Sequence, residues 1–208
     1  MHILYAHTGW GSALIEAQLA WYGLPFRLEP VDDLFRSAEA RETLARVNPM
    51  AQVPTVRMPD GSVMAESAAI SIHLAETAGA EPLLPAAGDP ARPQALRWLL
   101  FLVTTIYPTF AFGDDPSRYV ALEAARQPFR TATAEARKRY WRMAEPVADQ
   151  PWFLGRRFLV LDIYVAVMTR WHPKRPWFAE HCPKLTAIAQ ATEALPRLAA
   201  VFKRNFPA

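Results

Sequence analysis

Apolar positions in the first eighty residues change period several times. His2 to Ala6 reads as a short buried strand, and Gly11 to Tyr22 as an apolar-rich helix closed by Gly23. Phe26 to Val31 predicts a second strand, and Ser37 to Arg46 a helix ended by Asn48-Pro49. Pro54 to Met58 and Ser62 to Ala65 predict a hairpin around Pro59-Asp60-Gly61, followed by a helix from Ser67 to Thr77 that stops at Gly79. The order β-α-β-α-β-β-α implies a mixed sheet covered by helices.

Residues 80–90 shift abruptly to Pro, Gly and Ala and read as a linker. Everything beyond them has helical patterning: Arg92 to Phe112, Pro116 to Val147, Gly155 to Trp171, Lys184 to Ala194 and Arg197 to Arg204. Pro108 and Pro128 are expected to kink their helices, because each removes a donor and crowds the preceding turn. The plan is α/β plus all-α: a domain over 1–79, the linker 80–90, and an all-helical domain over 91–208.

Composition narrows the class. With 51% hydrophobic and 21% charged residues in 208, the chain has the make-up of an ordinary globular protein. Its one cysteine, Cys182, excludes a disulfide framework and fits a reducing compartment such as the cytoplasm; flanked by proline, it reads as a spectator. The net charge of +3 comes from 23 basic against 20 acidic residues, a near balance that argues against nucleic acid. The basic run Arg137 to Arg142 reads instead as a solvated helix face. No targeting segment is expected from Met1 to Ala6. The uncharged run between Arg97 and Asp114 falls short of the roughly 20 apolar residues of a membrane span, which leaves a buried core helix. The histidines show no metal-ligand spacing, so no metal is expected.

Two stretches carry chemistry. In Asn48-Pro-Met-Ala-Gln-Val-Pro-Thr-Val56, a proline opening a buried strand marks an edge or a special geometry. If Val53–Pro54 is cis, the backbone of Val53 turns outward and can pair with an extended peptide; the alternative is an ordinary strand-opening proline. In Asp60 to Ile70, a turn and strand run into Glu66-Ser67 at a helix start. Ser67 there is a simple cap, or the helix N-terminus holds a carboxylate while Glu66 holds an ammonium, which suits an α-amino acid zwitterion.

Together with Asp149-Gln-Pro-Trp-Phe-Leu-Gly155 and Asp162-Ile-Tyr164, these stretches resemble the cytosolic glutathione transferase family over nearly the whole chain. The resemblance implies a thioredoxin-like domain followed by an all-helical one, a homodimer, and glutathione as co-substrate. It assigns the cysteinyl backbone of glutathione to Val53 beside a cis Pro54, the γ-glutamyl group to Glu66 and Ser67, and a neighbouring contact to Gln52. The implied reaction is attack of the glutathione thiolate on an apolar small-molecule electrophile.

The chain departs from that pattern twice. Leu159 stands where the family places a Ser or Thr, leaving Asp162 alone of a capping pair. In the first loop, Ala6-His-Thr-Gly-Trp-Gly-Ser12, the serine-type and cysteine-type activator positions fall on Gly9 and Gly11. Thr8 and Ser12 are the remaining hydroxyls, each with a structural reading beside the catalytic one: a loop residue for Thr8, a helix cap for Ser12. Backbone N–H groups at Gly11 and Ser12 are the third option, and His7 reads as a local hydrogen-bonding residue. For an apolar acceptor pocket between the domains, Trp10, Tyr107 and Phe110 are candidates, with core packing the alternative. A non-catalytic glutathione- or ligand-binding role is the rival reading, favoured by the two glycines.

Overall fold

Strands β1 (His2–Ala6), β2 (Phe26–Pro30), β3 (Thr55–Arg57) and β4 (Val63–Met64) form one mixed sheet in the order β2-β1-β3-β4 in the computed structural model, which describes residues 1–79 and 81–207. β1 lies parallel to β2 and antiparallel to β3, and β4 is antiparallel to β3. Helices α1 (Ser12–Trp21), α2 (Ala38–Ala45) and α3 (Ser67–Thr77) alternate with the strands in the thioredoxin-like order. The remainder is helical: α4 (Arg92–Leu100), α5 (Pro108–Asp114), α6 (Glu123–Ala144), α7 (Val160–Met168), α8 (Arg175–His181), α9 (Pro183–Glu193) and α10 (Pro196–Asn205). The short α8 has no counterpart in the sequence reading, since Pro173, Pro176 and Pro183 punctuate that region.

The chain packs as two compact units, Met1–Ala86 with Thr192–Ala208, and Ala87–Ala191. The sequence reading carried its helical domain from 91 to 208, but the last helix packs with the first unit. Ala80 and Ala208, the ends of the expected linker and domain, lie outside the described residues.

In the first unit, Leu4, Ile15, Leu19, Val56, Met58, Ile70 and Leu74 make the core between sheet and helices. Every residue of α1 from Ser12 to Leu19 is buried. An apolar helix of this kind needs cover on all sides, and α10 supplies one of them. Leu198, Val201, Phe202 and Asn205, at the i, i+3, i+4, i+7 spacing, are its buried face. Burying each large apolar side chain contributes about 1.5–3 kcal/mol. The Gln18 amide donates to the Ser71 hydroxyl at 2.9 Å, which ties α1 to α3 inside that core.

In the second unit, a continuous helical stretch runs from Arg92 to Asp114. It is long and apolar enough to cross a bilayer by length and composition alone. Ala95, Leu99, Leu102, Ile106 and Phe110 are nevertheless buried within the unit. Before Pro108 the helix widens into a π-helical segment, Phe101–Ile106, in which the Tyr107 N–H reaches the Leu102 carbonyl at 2.9 Å. The wider turn accommodates a residue that has no N–H to give. α6 runs through Pro128 without a break.

Asp162 compensates for the missing hydroxyl at Leu159. Its carboxylate accepts the N–H groups of Leu159 and Phe153, both at 2.7 Å, and so joins the start of α7 to the 149–155 loop. Burial pushes this carboxyl up to about 7. Cys182 is buried, and desolvation followed by the Glu145 charge pushes its thiol up to about 12, which keeps it unreactive.

Candidate functional site

Strand directions decide where the chemistry collects. β1 and β4 both run antiparallel to β3, so the end of β1, the start of β3 and the end of β4 lie at one edge of the sheet. Tyr5 pairs with Thr55, and Val56 with Met64. The loop 7–11, the segment 48–54 and the turn 65–67 therefore leave the sheet side by side. All three are stretches that the sequence singled out.

The Val53–Pro54 peptide is cis. Pro54 is buried and Val53 half-buried, while the Gln52 side chain is exposed. The segment is braced from within: Asn48 donates to the Thr55 hydroxyl at 2.9 Å, and that hydroxyl donates to the Gln52 carbonyl at 2.7 Å. Such short polar links hold the backbone without using the Val53 groups.

At the third segment, Glu66 is the residue before α3 and has φ 63 and ψ 103. A non-glycine residue there costs on the order of 1–3 kcal/mol and persists only where its surroundings impose it. Glu66 is exposed, and Ser67, the first helical residue, is 4% exposed. A carboxylate thus stands beside the first-turn N–H groups of an eleven-residue helix. That pairing offers one site for a cation and one for an anion a few ångströms apart.

The first loop is closed by Ser12, which does not act as the helix cap. Ser12 is buried, and its hydroxyl donates to the His7 carbonyl at 3.0 Å while accepting the His7 N–H at 3.2 Å. This reciprocal pair closes the loop on itself. Gly11, with φ −60 and no side-chain cap, precedes α1, so Ser12 is not its N-cap. Thr8 is exposed. The His7 ring bonds through Nδ1 to the Val31 carbonyl at 2.7 Å and lies tilted against Trp10 with ring centroids 4.2 Å apart, and Trp10 meets Phe35 at 5.0 Å.

Gly9 has a physical reason to be glycine. Its φ is +78, and a Cβ there would stand 3.2 Å from the Asn205 carbonyl oxygen. The Asn205 side chain accepts the Gly9 N–H at 3.1 Å and donates to Glu16 at 2.8 Å; Glu16, 1% exposed, is also paired with Arg204. Sequence reading missed this cluster. The available signals were an acid inside the apolar helix Gly11–Tyr22 and an asparagine at the fourth position of an otherwise apolar stripe.

Of the acceptor-pocket candidates, Trp10 belongs to the first unit, and Tyr107 and Phe110 to the second. Phe110 is 5% exposed, packed on Trp171 at 5.0 Å and covered by the Arg137 guanidinium at 3.9 Å. Core packing accounts for it. Tyr107 is half-buried against the same Trp171 at 5.2 Å.

Residues 15–77 match the glutathione S-transferase N-terminal domain family. The chain is 31% identical to the uncharacterized GST-like protein YncG of Escherichia coli K12, over 97% of each chain. It is 28% identical to the glutathione S-transferase GstA of Escherichia coli O157:H7, over 72% of this chain and 71% of that one. Among solved structures, a sphingomonad glutathione S-transferase complexed with glutathione superposes with a TM-score of 0.81 at 27% identity, over 99% of this chain and 100% of that one.

The geometry at position 9 generates a direct test. Gly9→Ser places a Cβ at positive φ against the Asn205 carbonyl. We expect a stability loss of about 1–3 kcal/mol, read as a lower urea midpoint with unchanged m-value. An unchanged midpoint would show that the loop accommodates a side chain there.

Proposed function

Because the chain belongs to the glutathione S-transferase family, we propose that it binds glutathione at the shared sheet edge and transfers its thiolate to an apolar electrophile. The observation that carries the reading is the convergence of the three segments there, with Glu66 held at positive φ beside the start of α3. In this reading Glu66 takes the γ-glutamyl ammonium and the first-turn N–H groups at Ser67 take its carboxylate. The backbone of Val53 pairs with the cysteinyl residue, and Gln52, exposed beside it, contacts the tripeptide. The thiol then reaches the 8–12 loop.

Chemistry at that loop follows from charge. A free thiol with a pKa near 8.5 is mostly protonated at neutral pH, and lowering it by two units needs about 2.7 kcal/mol of anion stabilisation. The N–H groups of Gly11 and Ser12 at the start of α1 supply part of this. Thr8, which is exposed, supplies the rest, while Ser12 holds the loop's shape. The thiolate sulfur forms a bond to the electrophilic carbon; a leaving group departs with its electron pair, or a proton is taken up from solvent at the neighbouring carbon. Trp10 offers an apolar face beside the sulfur.

Replacing both Glu66 and Ser67 with alanine should abolish retention on immobilised glutathione while the circular dichroism spectrum is preserved; retained binding in the double variant removes this assignment. For the loop, Thr8→Val should raise the pKa of the bound thiol by about one to two units in an ultraviolet titration. If the thiol of the unaltered protein keeps its solution pKa, the non-catalytic binding role, which Gly9 and Gly11 favour, replaces the transferase reading. The assembly we propose is a homodimer, so sedimentation should give twice the 23.4 kDa of the chain; a 23.4 kDa species at micromolar concentration would exclude it.

A further inference from the structure

Asn205 occupies a position where its neighbours on the helix face are apolar. Leu198, Val201 and Phe202 bury hydrocarbon against α1, and a fourth apolar side chain would complete the stripe. A buried amide is unfavourable there unless its groups are bonded. Those of Asn205 are bonded: its Oδ1 accepts the Gly9 N–H at 3.1 Å, and its Nδ2 donates to Glu16 at 2.8 Å and to the Val201 carbonyl at 3.0 Å. The cluster ties the C-terminal helix to the first loop and to α1, at the other end of the chain.

Its two ends have different effects. Toward the loop, the amide fixes Gly9 at the positive φ that brings Trp10, Gly11 and Ser12 into the turn entering α1. Toward the helix, it donates a hydrogen bond to Glu16, a buried carboxylate about one turn from the start of α1 whose charge is paired by Arg204. An uncompensated anion at that place would oppose a second negative charge at the helix N-terminus. Gly9 itself carries no side chain because the C-terminal helix passes 3.2 Å from where a Cβ would stand.

We propose that Asn205 is a positioning residue for thiol activation, acting from the C-terminal helix through Gly9 and Glu16 on the donors at the start of α1. This rests on the transferase reading above. It also gives the glycine at the usual serine position a role: the loop trades a side-chain hydroxyl for a backbone fixed from outside.

The test uses the protein carrying Asn205→Leu, which keeps the number and branching of side-chain heavy atoms and removes both hydrogen-bonding ends. Affinity for S-methylglutathione, which has no ionisable thiol, should stay within about two-fold, because Glu66 and Ser67 are untouched. The pKa of bound glutathione should rise by about one unit. The pH profile of kcat/KM should shift by the same amount, so that activity falls about five-fold at pH 6.5 and recovers at pH 9. A merely structural loss would lower activity equally at both pH values. If the leucine variant does not fold, Asn205→Ser, which retains a donor and acceptor in less volume, should give a smaller shift in the same direction. A folded variant with the unaltered thiol pKa overturns the role of Asn205 while leaving the transferase reading intact. A thiol that is unperturbed in the unaltered protein fails the transferase reading itself, and the role of Asn205 with it.

Discussion

Helix α1 has no solvent face, and most of the first unit is arranged to satisfy that requirement. The sheet and α3 cover part of it, and α10, arriving from the far end of the chain, covers another. Because the helix is enclosed, its polar residues can find partners only within the protein. Gln18 is answered by Ser71, and Glu16 by Asn205 and Arg204. Enclosure also fixes the position of the α1 N-terminus, which follows the loop leaving the sheet edge where the three candidate segments meet.

The loop preceding α1 is shaped by the same constraint. Two backbone devices hold it: the Ser12–His7 reciprocal pair inside the loop and the Asn205 amide on Gly9. Neither requires a side chain at Gly9 or Gly11. In the proposed reading, oriented N–H groups contribute through their placement rather than through residue type. A loop of this kind tolerates little movement, since donors displaced by a fraction of an ångström lose much of their effect on a developing charge.

The second unit shows how a departure from a family pattern is absorbed. Without a hydroxyl at position 159, Asp162 holds the start of α7 through the Leu159 N–H and reaches across to the Phe153 N–H. Leu159, 3% exposed, adds apolar burial where the family has a polar cap. Arg137 is treated in the same manner. The sequence reading placed it on a solvated face, yet it is 3% exposed and bonds the hydroxyl of Thr109 at 2.9 Å, the Thr109 carbonyl at 2.5 Å and the His172 carbonyl at 3.1 Å. One member of a basic run on α6 gives no local sign that it, and not its neighbours, will be buried.

Taken by itself, the sequence determined the alternation of strands and helices, the mixed sheet, and the segments 48–56 and 60–70 with Val53, Pro54, Glu66 and Ser67. These features are written in short-range periodicity, turn residues and helix starts, where each residue is read against neighbours a few positions away. Tertiary structure decided the rest. It turned Ser12 inward, buried Phe110 and Arg137, returned α10 to the first unit, and placed the Asn205 amide on Gly9. The Gly9–Asn205 hydrogen bond spans 196 residues of chain, and no local pattern specifies which distant group will fill a given space. What α1 needed was legible as an apolar helix with one acid in it; which residue would answer that acid depended on packing, because only the folded chain brings the two together.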